Sequence, residues 1–161
     1  MLNNKIKKLL AIVCIFILLI VIFLFFKGFN GICFEAYINH KISLWKPLNV
    51  ETIYRYEFRE GEDFYIFSYA NDKDIKKIIK KNDFKRINQN NLKNTIKVLN
   101  RYRDDLCEKE QKLFDKNTNI SELSTIGNYY LYVENRDNDD DYFICIIFPE
   151  DKKVYYFNIN H

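Results

Sequence analysis

Residues 9–26 read LLAIVCIFILLIVIFLFF, eighteen apolar residues without a break. As a helix this run is about 27 Å long, close to the ~30 Å hydrocarbon core of a bilayer. Sixteen of the eighteen are Leu, Ile, Val or Phe. Each favours insertion by roughly 0.3–0.6 kcal/mol near the helix centre, so the run predicts a transmembrane helix. A helix apolar on every side could otherwise be covered only by a much larger protein.

Removal of the segment as a signal peptide would need small residues framed for cleavage after a shorter apolar run. The run ends instead in Phe25 and Phe26, and Lys27, Gly28, Phe29, Asn30 and Gly31 come next, with both glycines poorly placed. Cys14 and Cys33 fail as lipoprotein sites, because the bulky Val13 and Ile32 precede them. The expectation is an uncleaved signal anchor at 9–26 behind a cytoplasmic tail at 1–8. Lys5, Lys7 and Lys8 crowd the N-terminal end of the run, whereas Lys27, Lys41 and Lys46 are spread beyond it. That bias orients the N-terminus inside and the C-terminal domain outside.

Residues 28–50 show neither helical nor strand periodicity and read as a juxtamembrane connector. From Glu51 the pattern alternates, with Tyr54, Tyr56 and Phe58 on one face and Arg55, Glu57 and Arg59 on the other. A turn at Glu60, Gly61 and Glu62 makes residues 52–69 an antiparallel hairpin. Asn71 or Asp72 can then cap a helix in which Ile75, Ile78 and Ile79 share a face, ending near Asn82. A longer helix is predicted over 91–116 from Leu92, Ile96, Leu99, Leu106 and Leu113, with a candidate break at Asp104 and Asp105. Strand-like runs occupy 128–134, 142–148 and 153–159. The order β-β-α-α-β-β-β over 51–161 predicts an α+β domain, an antiparallel sheet with helices on one face.

Composition and charge sharpen this picture. The 161 residues leave room for one domain beyond the anchor, and 12 Tyr, 14 Phe and one Trp supply material for its core. Net charge is +3, but four of the 25 basic residues, Lys5, Lys7, Lys8 and Lys27, flank the apolar run. The remaining 21 face 22 acidic residues, so the basic balance belongs to the anchor and no nucleic-acid partner is expected. Within the domain, residues 72–103 carry eleven basic and three acidic side chains, and residues 134–151 one basic and seven acidic. Such division can steer a charged partner or hold the domain near anionic head groups. Lys73, Lys76, Lys77, Lys80 and Lys81 form the candidate basic binding face.

Candidate chemistry is sparse. Asp137, Asp139 and Asp141 have the alternate spacing that opens a calcium loop, but Tyr142 and Phe148 stand where such a loop needs Gly and Glu. His40 and His161 are isolated from any nucleophile motif, and no phosphate-binding glycine loop occurs. Acidic residues crowd Cys107, a setting that opposes thiolate formation. Catalytic, metal and cofactor sites are therefore not expected, and the chain points away from an enzyme. Beyond the anchor, Cys33, Cys107 and Cys145 are an odd set. Cys145 lies in an apolar strand and reads as a core thiol, and the sequence leaves open whether Cys33 and Cys107 pair.

Together these features describe a single-pass protein of a bacterial cell envelope. Residues 9–26 take the bilayer as one partner, and the outer domain binds an unidentified protein, with a toxin-intercepting immunity function as a specific version. The alternatives are a small membrane subunit of a larger envelope complex and a surface hydrolase.

Overall fold

A computed structural model of the chain describes residues 47–55, 61–134 and 141–160, together with Phe16, Leu18 and Leu44. The chain divides into two units, Met1–Ile42 and Ser43–His161. In the first, Phe16 and Leu18 are helical and exposed, and the rest of the expected anchor at 9–26 lies outside the described residues. Among the described residues no helix is long and apolar enough to cross a membrane.

The second unit contains β1 (Asn49–Tyr54), β2 (Gly61–Ser68), α1 (Asp72–Lys81), β3 (Lys85–Arg86), α2 (Leu92–Asp105), α3 (Glu108–Asn117), α4 (Ile120–Leu123), β4 (Tyr129–Glu134), β5 (Tyr142–Phe148) and β6 (Lys153–Asn160). The strands form one sheet in the order β1-β2-β6-β5-β4-β3, every neighbouring pair antiparallel. The α+β class is as expected, with a six-stranded antiparallel sheet in place of five strands. β3 is the addition. Its two residues are polar and exposed, so no apolar alternation announces it.

The first strand begins at Asn49, inside the stretch read as connector, because the ladder runs on to the pair Asn49↔Ser68. Leu48 N–H donates to the Ser68 carbonyl at 2.7 Å. Leu44 is buried, and its carbonyl accepts from the Tyr69 hydroxyl at 3.1 Å. Near the other end of β1 the register shifts, with Thr52 opposite Tyr65 and Tyr54 opposite Phe64. Ile53 is the extra residue of a β-bulge. The shift brings Tyr54 to the face that carries Phe64, and the two rings meet edge to face with centroids 5.6 Å apart.

Alternate residues of the strands build the main core. Phe64 and Ile66 of β2, Phe157 and Ile159 of β6, and Tyr142, Ile144, Ile146 and Phe148 of β5 pack with Val98, Leu99 and Tyr102 of α2, Phe114 of α3 and Leu123 of α4. Phe157 sits at its centre, with ring centroids 4.7 Å from Phe64, 5.0 Å from Tyr102 and 5.6 Å from Phe114. Each such aromatic pair adds about 0.5–1.5 kcal/mol beyond its area of burial.

All seven residues of β5 are buried, and Tyr65, Phe67, Phe143, Cys145, Ile147, Val154 and Tyr156, which point the other way from the sheet, are buried too. Both faces of the central strands are covered. The reason is in the run YFICIIF, which has no polar alternation and so suits a strand enclosed on both sides. Ile75 and Ile78 of α1 are also buried and stand outside the main cluster.

The long helix predicted over 91–116 divides where Asp104 and Asp105 suggested. α2 stops at Asp105, and Leu106 turns extended at φ −73°, ψ 147°. Cys107 then starts α3 as its N-terminal cap residue. The break resets the helical phase, so Phe114 is buried and Leu113 is only partly covered.

Candidate functional site

α1 owes its position to its caps and its apolar stripe. Asn71 is extended, and its side chain accepts from the Asp74 N–H at 3.1 Å, satisfying one of the free donors at the helix start. Asp72 and Asp74 lie in the first turn, Lys80 and Lys81 in the last, both placements favoured by the helix dipole. Ile75 and Ile78 turn inward. Lys73, Lys76, Lys77, Lys80 and Lys81 fall at i, i+3, i+4, i+7 and i+8, and all five are exposed on one stripe.

Acidic neighbours neutralise little of this stripe. Lys77 Nζ is 4.0 Å from Asp74 Oδ1, and the lysine side chain is 72% exposed. Asp72 is instead paired with Lys152, at 3.7 Å. Among the described residues no ion pair holds Lys73, Lys76, Lys80 or Lys81. Beyond the helix, Lys85 and Arg86 of β3 are exposed as well.

A second cluster gathers at the far side of α2. Arg101 donates from Nη1 to the Tyr132 hydroxyl at 3.0 Å and to Glu134 Oε1 at 2.7 Å. Its guanidinium lies 4.6 Å from the centroid of the Tyr142 ring, and its Nε is 3.7 Å from Asp105 Oδ2. Tyr142 donates to Asp105 at 2.5 Å, and Tyr132 donates to Glu134. The Tyr132 hydroxyl, with Arg101 adding to it, holds the Glu134 carboxyl below the usual range. Burial and then the adjoining carboxylates push the Tyr132 and Tyr142 hydroxyls up. The groups satisfy one another, so the cluster fastens α2 to β4 and β5.

No family model, curated protein or solved structure matches the chain. The site is therefore read from its own residues.

The structure brings the five predicted lysines together on one helix face. The Arg101 cluster is not apparent in the sequence, since its members come from α2, β4 and β5. The local signals are Arg101 and Asp105 at i, i+4 and Tyr132 and Glu134 at i, i+2. Cys107 is an exposed free thiol at the start of α3. It borders an open depression lined by Glu108, Lys109, Lys112, Leu113 and Lys116. Cys145 is buried, as its apolar strand implied, and burial pushes its thiol up.

Of the acidic run, Asp137, Asp139 and Asp140 lie outside the described residues, as do His40, His161 and Cys33. Among the described residues no three His, Cys, Asp or Glu side chains converge as a metal would need. The chemistry on display is electrostatic, a row of mobile ammonium groups able to meet an extended anionic surface.

Proposed function

We propose that this chain is a membrane-tethered binding module of the cell envelope. A single helix at 9–26 holds it in the bilayer, and the domain from Ser43 onward works outside the membrane as a non-enzymatic partner-binding unit. The observation that carries this reading is the chain's division. An eighteen-residue apolar run lies in one unit, and a separate unit holds a six-stranded sheet. Burial on both faces of β5 supports a rigid scaffold, and rigid scaffolds present surface groups at low ordering cost. The lysine stripe of α1 supplies a surface of one sign. An immunity-type role, in which the domain intercepts a toxin at the membrane, is the specific form of the proposal.

Protease treatment of intact cells carrying a C-terminal tag tests the topology. The expected result is loss of the tag from outside, with a membrane-retained fragment that includes residues 1–27. A tag protected until the cells are opened would overturn the outward orientation. For the immunity version, deletion of the gene should sensitise cells to a toxin, and unchanged sensitivity across the toxins of competing strains would remove it.

A further inference from the structure

We infer that the lysine stripe of α1 docks the domain onto an anionic phospholipid surface, an inference that rests on the tether proposed above. Three features favour a bilayer over an acidic protein. The first is composition. The stripe is lysine throughout, and lysine is depleted from protein interfaces, where arginine and aromatic anchors dominate. Strongly hydrated ammonium groups on flexible stems suit a laterally mobile field of phosphates better than one fixed constellation.

The second is shape. Lys73 to Lys81 cover about 12 Å along one helix face, within an arc of about 140°, which long flexible stems can bring to a common plane. Ile75 and Ile78 are buried, so the apolar side of α1 is already covered. Attachment is then electrostatic and lies on the head groups, unlike an amphipathic helix that inserts its apolar face.

The third is proximity. The 22 residues from 27 to 48 separate the apolar run from β1. At roughly 3.3 Å per residue they hold the domain within about 70 Å of the bilayer. Confinement of this kind raises the effective concentration of the surface, so a weak contact suffices. Among the described residues, the acidic groups on or next to the helix are Asp72, which Lys152 engages, Asp74 beside Lys77, and Asp83 just past its end. Five lysines outnumber them.

The test uses the full chain reconstituted in vesicles of phosphatidylcholine, with and without phosphatidylglycerol. A membrane-impermeant acylating reagent labels exposed lysines, which are then read by mass spectrometry. The expected result is protection of the five stripe lysines that appears only with phosphatidylglycerol and is lost near 1 M salt, where the screening length falls to about 3 Å. Lys109 and Lys116 on α3 should label equally in both vesicles. Replacing Lys76 and Lys80 with Gln should weaken docking roughly five-fold for each charge removed. Replacing them with Arg should preserve it.

Equal labelling of the stripe in both vesicles overturns the inference while leaving the tether intact. Protection by soluble polyglutamate on phosphatidylcholine vesicles, as strong as that given by phosphatidylglycerol, overturns it in favour of an acidic protein. Extraction of the chain from neutral vesicles by alkaline carbonate overturns the tether alone. Docking is then judged by flotation with phosphatidylglycerol vesicles, which must vanish when all five lysines become Gln.

Discussion

Tyr54 and Tyr102, 48 positions apart, join hydroxyl to hydroxyl at 2.8 Å. Tyr102 in turn donates to the backbone carbonyl of Asp63 at 2.9 Å. A hydroxyl carries one hydrogen, so Tyr54 is the donor to Tyr102, and the chain of bonds runs from β1 through α2 to β2. The bulge at Ile53 makes this possible by bringing Tyr54 to the helix-facing side of the sheet.

Tyr102→Phe should therefore cost about 1–3 kcal/mol, since it leaves both the Asp63 carbonyl and the Tyr54 hydroxyl without this partner. Tyr54→Phe removes a donor at the half-covered end and should cost about 1 kcal/mol. Urea unfolding followed by near-ultraviolet circular dichroism measures both. The double variant should fall short of the sum, and strict additivity would mean that the two hydroxyls act independently.

Alkaline pH should unfold the domain cooperatively. Burial, the leading cause, pushes the Tyr54 and Tyr102 hydroxyls above the ordinary tyrosine range. Burial also raises Tyr132, Tyr142 and Tyr155. The folded state thus keeps protons that the unfolded chain releases above about pH 10. Stability is fully present below that value and falls as pH climbs from it towards the folded-state values, by up to about 1.4 kcal/mol per pH unit for each of the well-buried Tyr54 and Tyr102 and by less for the more exposed tyrosines, where solvent screens the effect. Tyrosinate absorbance should lag near pH 10 and then rise together with loss of circular dichroism. Complete tyrosine titration near pH 10 with the fold intact would contradict this.

Phe157 should be among the most sensitive core positions. Phe157→Ala removes the ring that touches Phe64, Tyr102 and Phe114, and a loss of about 3–5 kcal/mol is expected in urea unfolding. Val133→Ala, on the exposed end of β4, should stay within about 0.5 kcal/mol.

Thiol reagents should separate two cysteines by their surroundings. With Cys14 and Cys33 replaced by Ser, native protein should take up one maleimide, at the exposed Cys107. Cys145 should react only after unfolding, because it is fully buried and burial holds it as the thiol. Peptide mapping identifies the modified residue, and labelling of Cys145 in native protein would show that its strand opens readily.

Much of the domain is legible in short segments. The isoleucines of α1 and the apolar runs of β5 and β6 each declare an element through spacing alone, whereas the alternation read from Tyr54 starts where β1 ends, with Tyr56 and Phe58 outside the described residues, and Gly61 and Glu62, read as a turn, open β2. Asn71, with Asp72 and Asp74 behind it, marks the start of α1 in the same way. The lysine stripe is legible because it is a property of one helix. What escapes depends on residues far apart in the chain or on elements too small to show a period. Lys85 and Arg86 are two polar residues whose pairing with Tyr130 and Tyr129 arises only once the sheet exists. Arg101 finds Tyr132 and Glu134 only after α2 has packed. The burial of Phe114 over Leu113 comes from the turn at Leu106, which shifts the helix phase by an amount no local pattern records.

The strand order also imposes a timetable. β6, the last of the six described strands in chain order, lies between β2 and β5, which are far apart in the chain. A nascent chain that has emerged only as far as Glu134 possesses the β1–β2 hairpin and helices α1 to α4, yet lacks the two strands that join the halves of the sheet. Such long-range pairing delays closure until its late partner arrives. The domain is thus expected to wait, open and aromatic, until residues 142–160 leave the ribosome, and in that interval a chaperone can still hold it unfolded.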